Sequence, residues 1–348
     1  APDPVVVFTL PSPLFPVSCQ SRAFPPLYSD HHFRRRREGR KAPYRILSLD
    51  GGGIRGIVTI VLMQRLARQA GLEGWLDRAD LIAGTSTGGL LALAIAKGMD
   101  LAEMRELYET KGRVIFDDSW LDDLRDLGKI AGADYDTRGL ERELTRIFGD
   151  TTLAQLRKRV LVTAFDLDNE DPDPAKRRWK PKLFHNFPGR DRDGAALARK
   201  VGVYTAAAPT YFPSYEGYVD GGVYATNPSM CALAQALDRR QRTPAALDDI
   251  VMLSLGTGTP LTYIKGAKVD WGYAQWARSL VSLMLDGVAG IADFQCEQLL
   301  GERHHRLAPT FPPGKVFDMD EWRRVPEMVA FAESVPLRAA TAFLRERW

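Results

Sequence analysis

The chain has 348 residues, 45% of them hydrophobic and 26% charged, with a formal net charge of +3. That length can bury one large core or two small ones, and so small a positive balance argues against a nucleic-acid partner. Cys19, Cys231 and Cys296 are too scattered for a disulfide framework or a CxxC metal site, which favours a reducing compartment; no apolar run approaches the ~18 residues of a membrane span.

Residues 1–42 combine Pro2, Pro4, Pro11, Pro13 and Pro16 with a basic run through Arg34–Arg37, Arg40 and Lys41, and show no helical or strand periodicity. They read as a disordered leader, in weak contact with anionic lipid at most. The absence of a basic stretch ahead of the apolar residues argues against a signal peptide. A single domain is expected over 43–348.

From Tyr44 the pattern changes. YRILSLD (44–50) is a short β-type run ending in glycines, and residues 57–70 carry the apolar spacing of a helix. DLIAGTS (80–86) is a second strand that ends in a tight turn, and GLLALAIAKG (89–98) is a mostly buried helix closed by glycine. Further strands are expected at 159–168 and 248–258. Further helices are expected near 100–110, 137–148, 194–205, 228–240, 275–300 and 326–346. This alternation predicts an α/β fold, a mainly parallel central sheet with helices on both faces. In such sheets chemistry gathers in the loops at the carboxyl ends of strands, where DGGG, GTSTGG and LGTG all fall.

GTSTG (84–88) fits G-x-S-x-G between an apolar strand and an apolar helix. Gly84 and Gly88 suit a turn in which a Cβ would collide with the adjoining strand or helix, and the turn presents Ser86 at a helix N-terminus. A plain helix cap would explain Ser86 but not its glycines. DGGGIRG (50–56) also lies between strand and helix. Its glycines satisfy the dinucleotide fingerprint G-x-G-x-x-G, a rival reading. The acidic residue that fingerprint needs at the end of the second strand is missing, because Thr85 and Ser86 stand there. Used for acyl transfer, Gly51, Gly52 and Gly53 would expose backbone N–H groups to an oxyanion, with Arg55 lending charge or pinning the loop.

A nucleophilic serine needs a base. His31 and His32 lie in the leader, His304 and His305 in a charged segment, and His185 among aromatics as a packed residue. Asp220, in YVDGG (218–222), has an apolar approach and two glycines that admit a reacting group.

These three motifs, in this order, resemble those of the patatin-like phospholipases, most closely the compact bacterial members. AAAPTYFP (206–213) ahead of the aspartate also resembles the family's sequence there. The resemblance covers about residues 44–305. It implies that Ser86 and Asp220 form a catalytic dyad without histidine and that the DGGG loop is the oxyanion hole. It further implies a lipid ester as substrate, with no metal or other cofactor. A cytoplasmic protein in transient contact with a membrane surface is expected, Trp120, Trp271 and Trp276 being candidate interfacial residues. The stretch 276–294 is amphipathic enough to cover an acyl pocket. A hydrolase that stays idle until a ligand opens it is equally compatible with these residues.

Overall fold

The computed structural model describes residues 42–116, 138–189, 193–209, 212–264 and 272–348. The expected leader, Trp120, Trp271, Cys19, Thr210 and Tyr211 lie outside them. Among the described residues seven strands form one sheet: β1 (Tyr44–Leu49), β2 (Leu81–Thr85), β3 (Arg159–Asp166), β4 (Lys180–His185), β5 (Tyr218–Asp220), β6 (Ile250–Leu255) and β7 (His304–Leu307). Their order is β4-β3-β2-β1-β6-β7, with β5 paired to β3. β1, β2, β3, β6 and β7 run parallel, while β4 and β5 are antiparallel to β3.

The inner parallel strands β1, β2, β3 and β6 are buried on both faces, so their sequences are nearly continuous apolar runs. Leu47, Leu49, Ile82, Val160, Val162, Leu253 and Leu255 face one core, with residues of α1 (Gly56–Ala67), α2 (Thr87–Lys97), α4 (Arg138–Phe148) and α5 (Ala198–Ala206). The amphipathic α3 (Leu101–Phe116) adds Met104 and Tyr108 to that side. Ile46, Leu81, Ala83, Leu161, Ile250 and Met252 face the other, where α7 (Ser229–Ala236) and α8 (Tyr273–Leu300) bring Ala232, Leu233, Cys296 and Leu300. The expected three-layer α/β architecture is therefore observed.

Three strands and one break depart from expectation. β4 and β7 are edge strands rich in charge, and β5 has three residues, too few for a period to show. The helix expected over 326–346 is two, α9 (Val325–Ser334) and α10 (Arg338–Arg347). Pro336 lacks an N–H and holds the preceding Val335 in an extended conformation (ψ 130°), so the helix stops there.

The chain leaves β1 toward β2 on one side, and the later strands β6 and β7 add to the other side of β1. The carboxyl ends of β1 and β6 thus flank the switch point where open parallel sheets place their ligands. There the Thr257 hydroxyl, just past β6, donates to the Gly51 carbonyl at 2.9 Å.

Candidate active site

β2 ends at Thr85 and the chain turns at once into α2, with Ser86 between them at φ 53°, ψ −126°. A non-glycine residue at positive φ is strained, and such strain persists only where the surroundings enforce it. Here they do: a Cβ on Gly84 would overlap the Gly88 carbonyl, and a Cβ on Gly88 would overlap the Leu49 carbonyl of the neighbouring strand. The Ser86 N–H donates to Thr205 Oγ1 at 2.8 Å, fixing the turn from α5. Ser86 remains partly accessible although its neighbours in β2 and α2 are buried.

Sheet register brings the aspartate to the serine. Along β3, Thr163 pairs with Thr85 and the next residue, Ala164, pairs with Asp220. β4 occupies the other edge of β3 over Leu161–Asp166. β5 must therefore take the edge that β2 vacates at Thr85, and Asp220 arrives beside Ser86. The hydroxyls of Thr85 and Thr163 lie 2.7 Å apart at this junction.

Asp220 is only 4% exposed. Burial pushes its carboxyl up to about 7, held back by hydrogen bonds from Ser86 and from the Gly222 N–H. The latter donates to Oδ1 at 2.7 Å. A carboxylate of ordinary acidity is a poor base at neutral pH; one raised toward 7 is well matched to take a proton from a serine.

The glycine loop faces Ser86: a Cβ on Gly51 would lie 3.4 Å from Ser86 Cβ. The Gly51 N–H donates to the Thr226 carbonyl at 2.9 Å, so Gly51 shapes the loop and does not offer the oxyanion donor expected of it. The Gly52 and Gly53 N–H groups have no backbone acceptor among the described residues. Gly53 sits at φ 57°, where a Cβ would overlap the Met319 carbonyl. Arg55 curls back so that Nε donates to the Gly52 carbonyl at 3.3 Å, which pins the loop. The Ile54 N–H, which a bound pyrophosphate would need, donates to Met319 O at 2.8 Å. The loop is thus packed by its own chain where a dinucleotide would lie.

One contact beside the glycine loop had no sequence signal. Asp50 opens the loop as a buried carboxylate, and Arg306 of β7, 256 positions later, grips it with both terminal guanidinium nitrogens, Nη1 and Nη2. The same Arg306 donates to Ser254 Oγ at 2.7 Å. Burial raises the Asp50 carboxyl and the Arg306 charge opposes that rise. The histidines among the described residues stand apart: His185 lies at the far end of the sheet, paired with Leu161 near the start of β3 and packed edge-on against Phe187. His304 and His305 belong to β7.

Known proteins resemble this chain over most of its length. The family described as patatin-like phospholipase matches residues 47–233. The putative sporulation hydrolase CotR of Bacillus subtilis is 29% identical over 88% of this chain and 99% of its own length. A cGAMP-activated phospholipase of Pseudomonas aeruginosa is 30% identical over 81% of this chain and 83% of its own. A second protein of that description, from Vibrio cholerae, is 33% identical over 62% of this chain and 65% of its own.

Proposed function

The chain belongs to the patatin-like phospholipase family, and from that premise we propose that it is a serine lipid acyl hydrolase working through a Ser86–Asp220 dyad. The observation that carries the reading is the buried Asp220 carboxyl, raised to about 7 and hydrogen-bonded to a serine held in a strained turn.

Asp220 takes the Ser86 hydroxyl proton as Oγ attacks the ester carbonyl carbon. The carbonyl oxygen becomes an oxyanion that accepts the Gly52 and Gly53 N–H groups, and the N-terminus of α2 adds positive potential. Collapse breaks the ester C–O bond, and Asp220 returns the proton to the departing alcohol or lysolipid oxygen. Water then attacks the acyl-serine, giving its proton to Asp220. The fatty acid leaves and Ser86 regains its hydrogen. Losing one oxyanion donor typically costs ~2.7–4 kcal/mol in the barrier.

The experiment is fatty-acid release from phosphatidylcholine by the native protein and by Ser86→Ala. Release by the native form alone supports the reading; equal release by both overturns it. A ligand-gated form of the same chemistry is favoured by the relatives described as cGAMP-activated. It would show as low basal release that climbs when a cyclic dinucleotide is added. The protein is proposed to be cytoplasmic and peripheral to the membrane while it acts, with residues 43–348 as its catalytic domain.

A further inference from the structure

Helix α8 is apolar on two sides. Ala292, Cys296 and Leu300 are buried, and the helix packs against β7, α7 and α6 (Gly222–Ala225). On the opposite side, Leu283 (45%), Met284 (48%), Ile291 (52%) and Phe294 (56%) are exposed. At 3.6 residues per turn these four fall within about a 100° arc. Two more exposed side chains, Leu261 and Tyr263, lie in the loop that precedes the helix. Of the eleven large hydrophobics exposed among the described residues, six are on α8, so the exposure is a patch and not ordinary scatter.

The flanks of α8 beside this arc, and not the patch residues themselves, border the candidate active site. Leu285 lies against Gly222, two residues from Asp220, where a Cβ on the glycine would be 3.1 Å from Leu285 Cδ2. The next residue, Asp286, interacts electrostatically with Arg55 of the glycine loop. The middle of α8 therefore lies beside both the Asp220 turn and the glycine loop. By sequence α8 carries Arg278 against Asp286, Asp293 and Glu297, so it has no basic surplus to favour an anionic surface.

We propose that the exposed face of α8 docks onto a zwitterionic lipid surface, inserting Leu283, Met284, Ile291 and Phe294 among the acyl chains beside the Ser86 mouth. The inference rests on reading Ser86 as the nucleophile of a lipid acyl hydrolase. An ester drawn from a bilayer then reaches the site without its acyl chains crossing water. Insertion of apolar side chains makes the binding nearly independent of salt.

The test measures co-sedimentation of the full chain with vesicles of diether phosphatidylcholine, which holds no acyl ester to cleave. Native protein is compared with Leu283→Glu, Ile291→Glu and Phe294→Glu. Hydrolysis of a soluble short-chain ester runs in parallel as the control for folding. Each substitution is expected to weaken vesicle binding by roughly tenfold or more, the loss that about 1.4 kcal/mol represents, and to leave soluble-ester hydrolysis within about twofold. Native binding is expected to persist from about 0.1 to 0.5 M salt. Failure of the native protein to bind, or binding by the variants equal to native, overturns the docking face. So does binding that demands anionic lipid and vanishes in salt. A native dimer that these substitutions split, with vesicle binding unchanged, assigns the face to a second copy instead. If the native chain binds vesicles but, with and without added cyclic dinucleotide, cleaves no soluble ester and no fatty acid from phosphatidylcholine, the acyl-hydrolase reading fails while the docking face stands.

Discussion

Replacing Asp220 by asparagine should abolish activity and yet stabilise the protein at neutral and alkaline pH. Asparagine keeps the shape and an oxygen to accept the Gly222 N–H, but carries no charge into the buried position. The unfolded carboxyl ionises near 3.8, the folded one near 7. Between those values the folded state holds a proton that the unfolded state has released, so raising the pH through this window destabilises the native protein. The gap, at about 1.4 kcal/mol for each tenfold in proton affinity, corresponds to about 4 kcal/mol. That penalty is absent below the unfolded value and fully present above about pH 7. Urea unfolding of native protein and Asp220→Asn, from about pH 4.5 to pH 8, should therefore give free-energy differences that grow with pH in favour of the variant. Other titrating groups, such as the buried His304, act in both proteins and cancel. A difference flat across pH, or a native protein more stable than the variant at pH 8, would refute the reasoning that Asp220 is a strained buried base.

Other outcomes follow from neighbouring contacts. The rate profile kcat/KM against pH should rise with unit slope and level off near pH 7 as Asp220 ionises; a limb centred near 4 would mean that burial does not tune the base. Arg306→Met leaves Asp50 buried without its partner and should destabilise by about 3–5 kcal/mol in urea unfolding. The double variant Asp50→Asn/Arg306→Met should recover much of that loss, and strict additivity would show that the two side chains are not coupled. Gly53→Ala forces a side chain into positive φ against the Met319 carbonyl. It should cut kcat by roughly a hundredfold, the loss of one oxyanion donor, with KM little changed.

Legibility in the sequence followed burial. β1, β2, β3 and β6 are covered on both faces, so YRILSL, LIAGT, RVLVTAFD and IVMLSL stand out as apolar runs. The glycine motifs were legible because close backbone approaches at Gly84, Gly88 and Gly53 tolerate no other residue. β7 was hidden because HHRL reads as a polar segment; its Arg306 is charged for the sake of Asp50, a partner that only the fold brings near. β4 begins KPK, and Pro181 in an edge strand masks the period. The reason Ser86 meets Asp220 was equally out of reach, since it lies in β5 taking over the edge of β3 where β2 stops. Gly51 was expected as a donor from its place in the motif. Its N–H turned out to be engaged by Thr226, across a contact no sequence pattern records.

The most direct measurement is covalent labelling by a fluorophosphonate, with the modified peptide identified by mass spectrometry. Its phosphorus is attacked by an activated serine, and the adduct needs the same base and oxyanion donors as the ester reaction. A single adduct on Ser86 of the native protein, lost in Ser86→Ala and slowed by orders of magnitude in Asp220→Asn, is the expected result. Labelling that persists in Ser86→Ala, or that proceeds at the native rate in Asp220→Asn, would contradict the dyad.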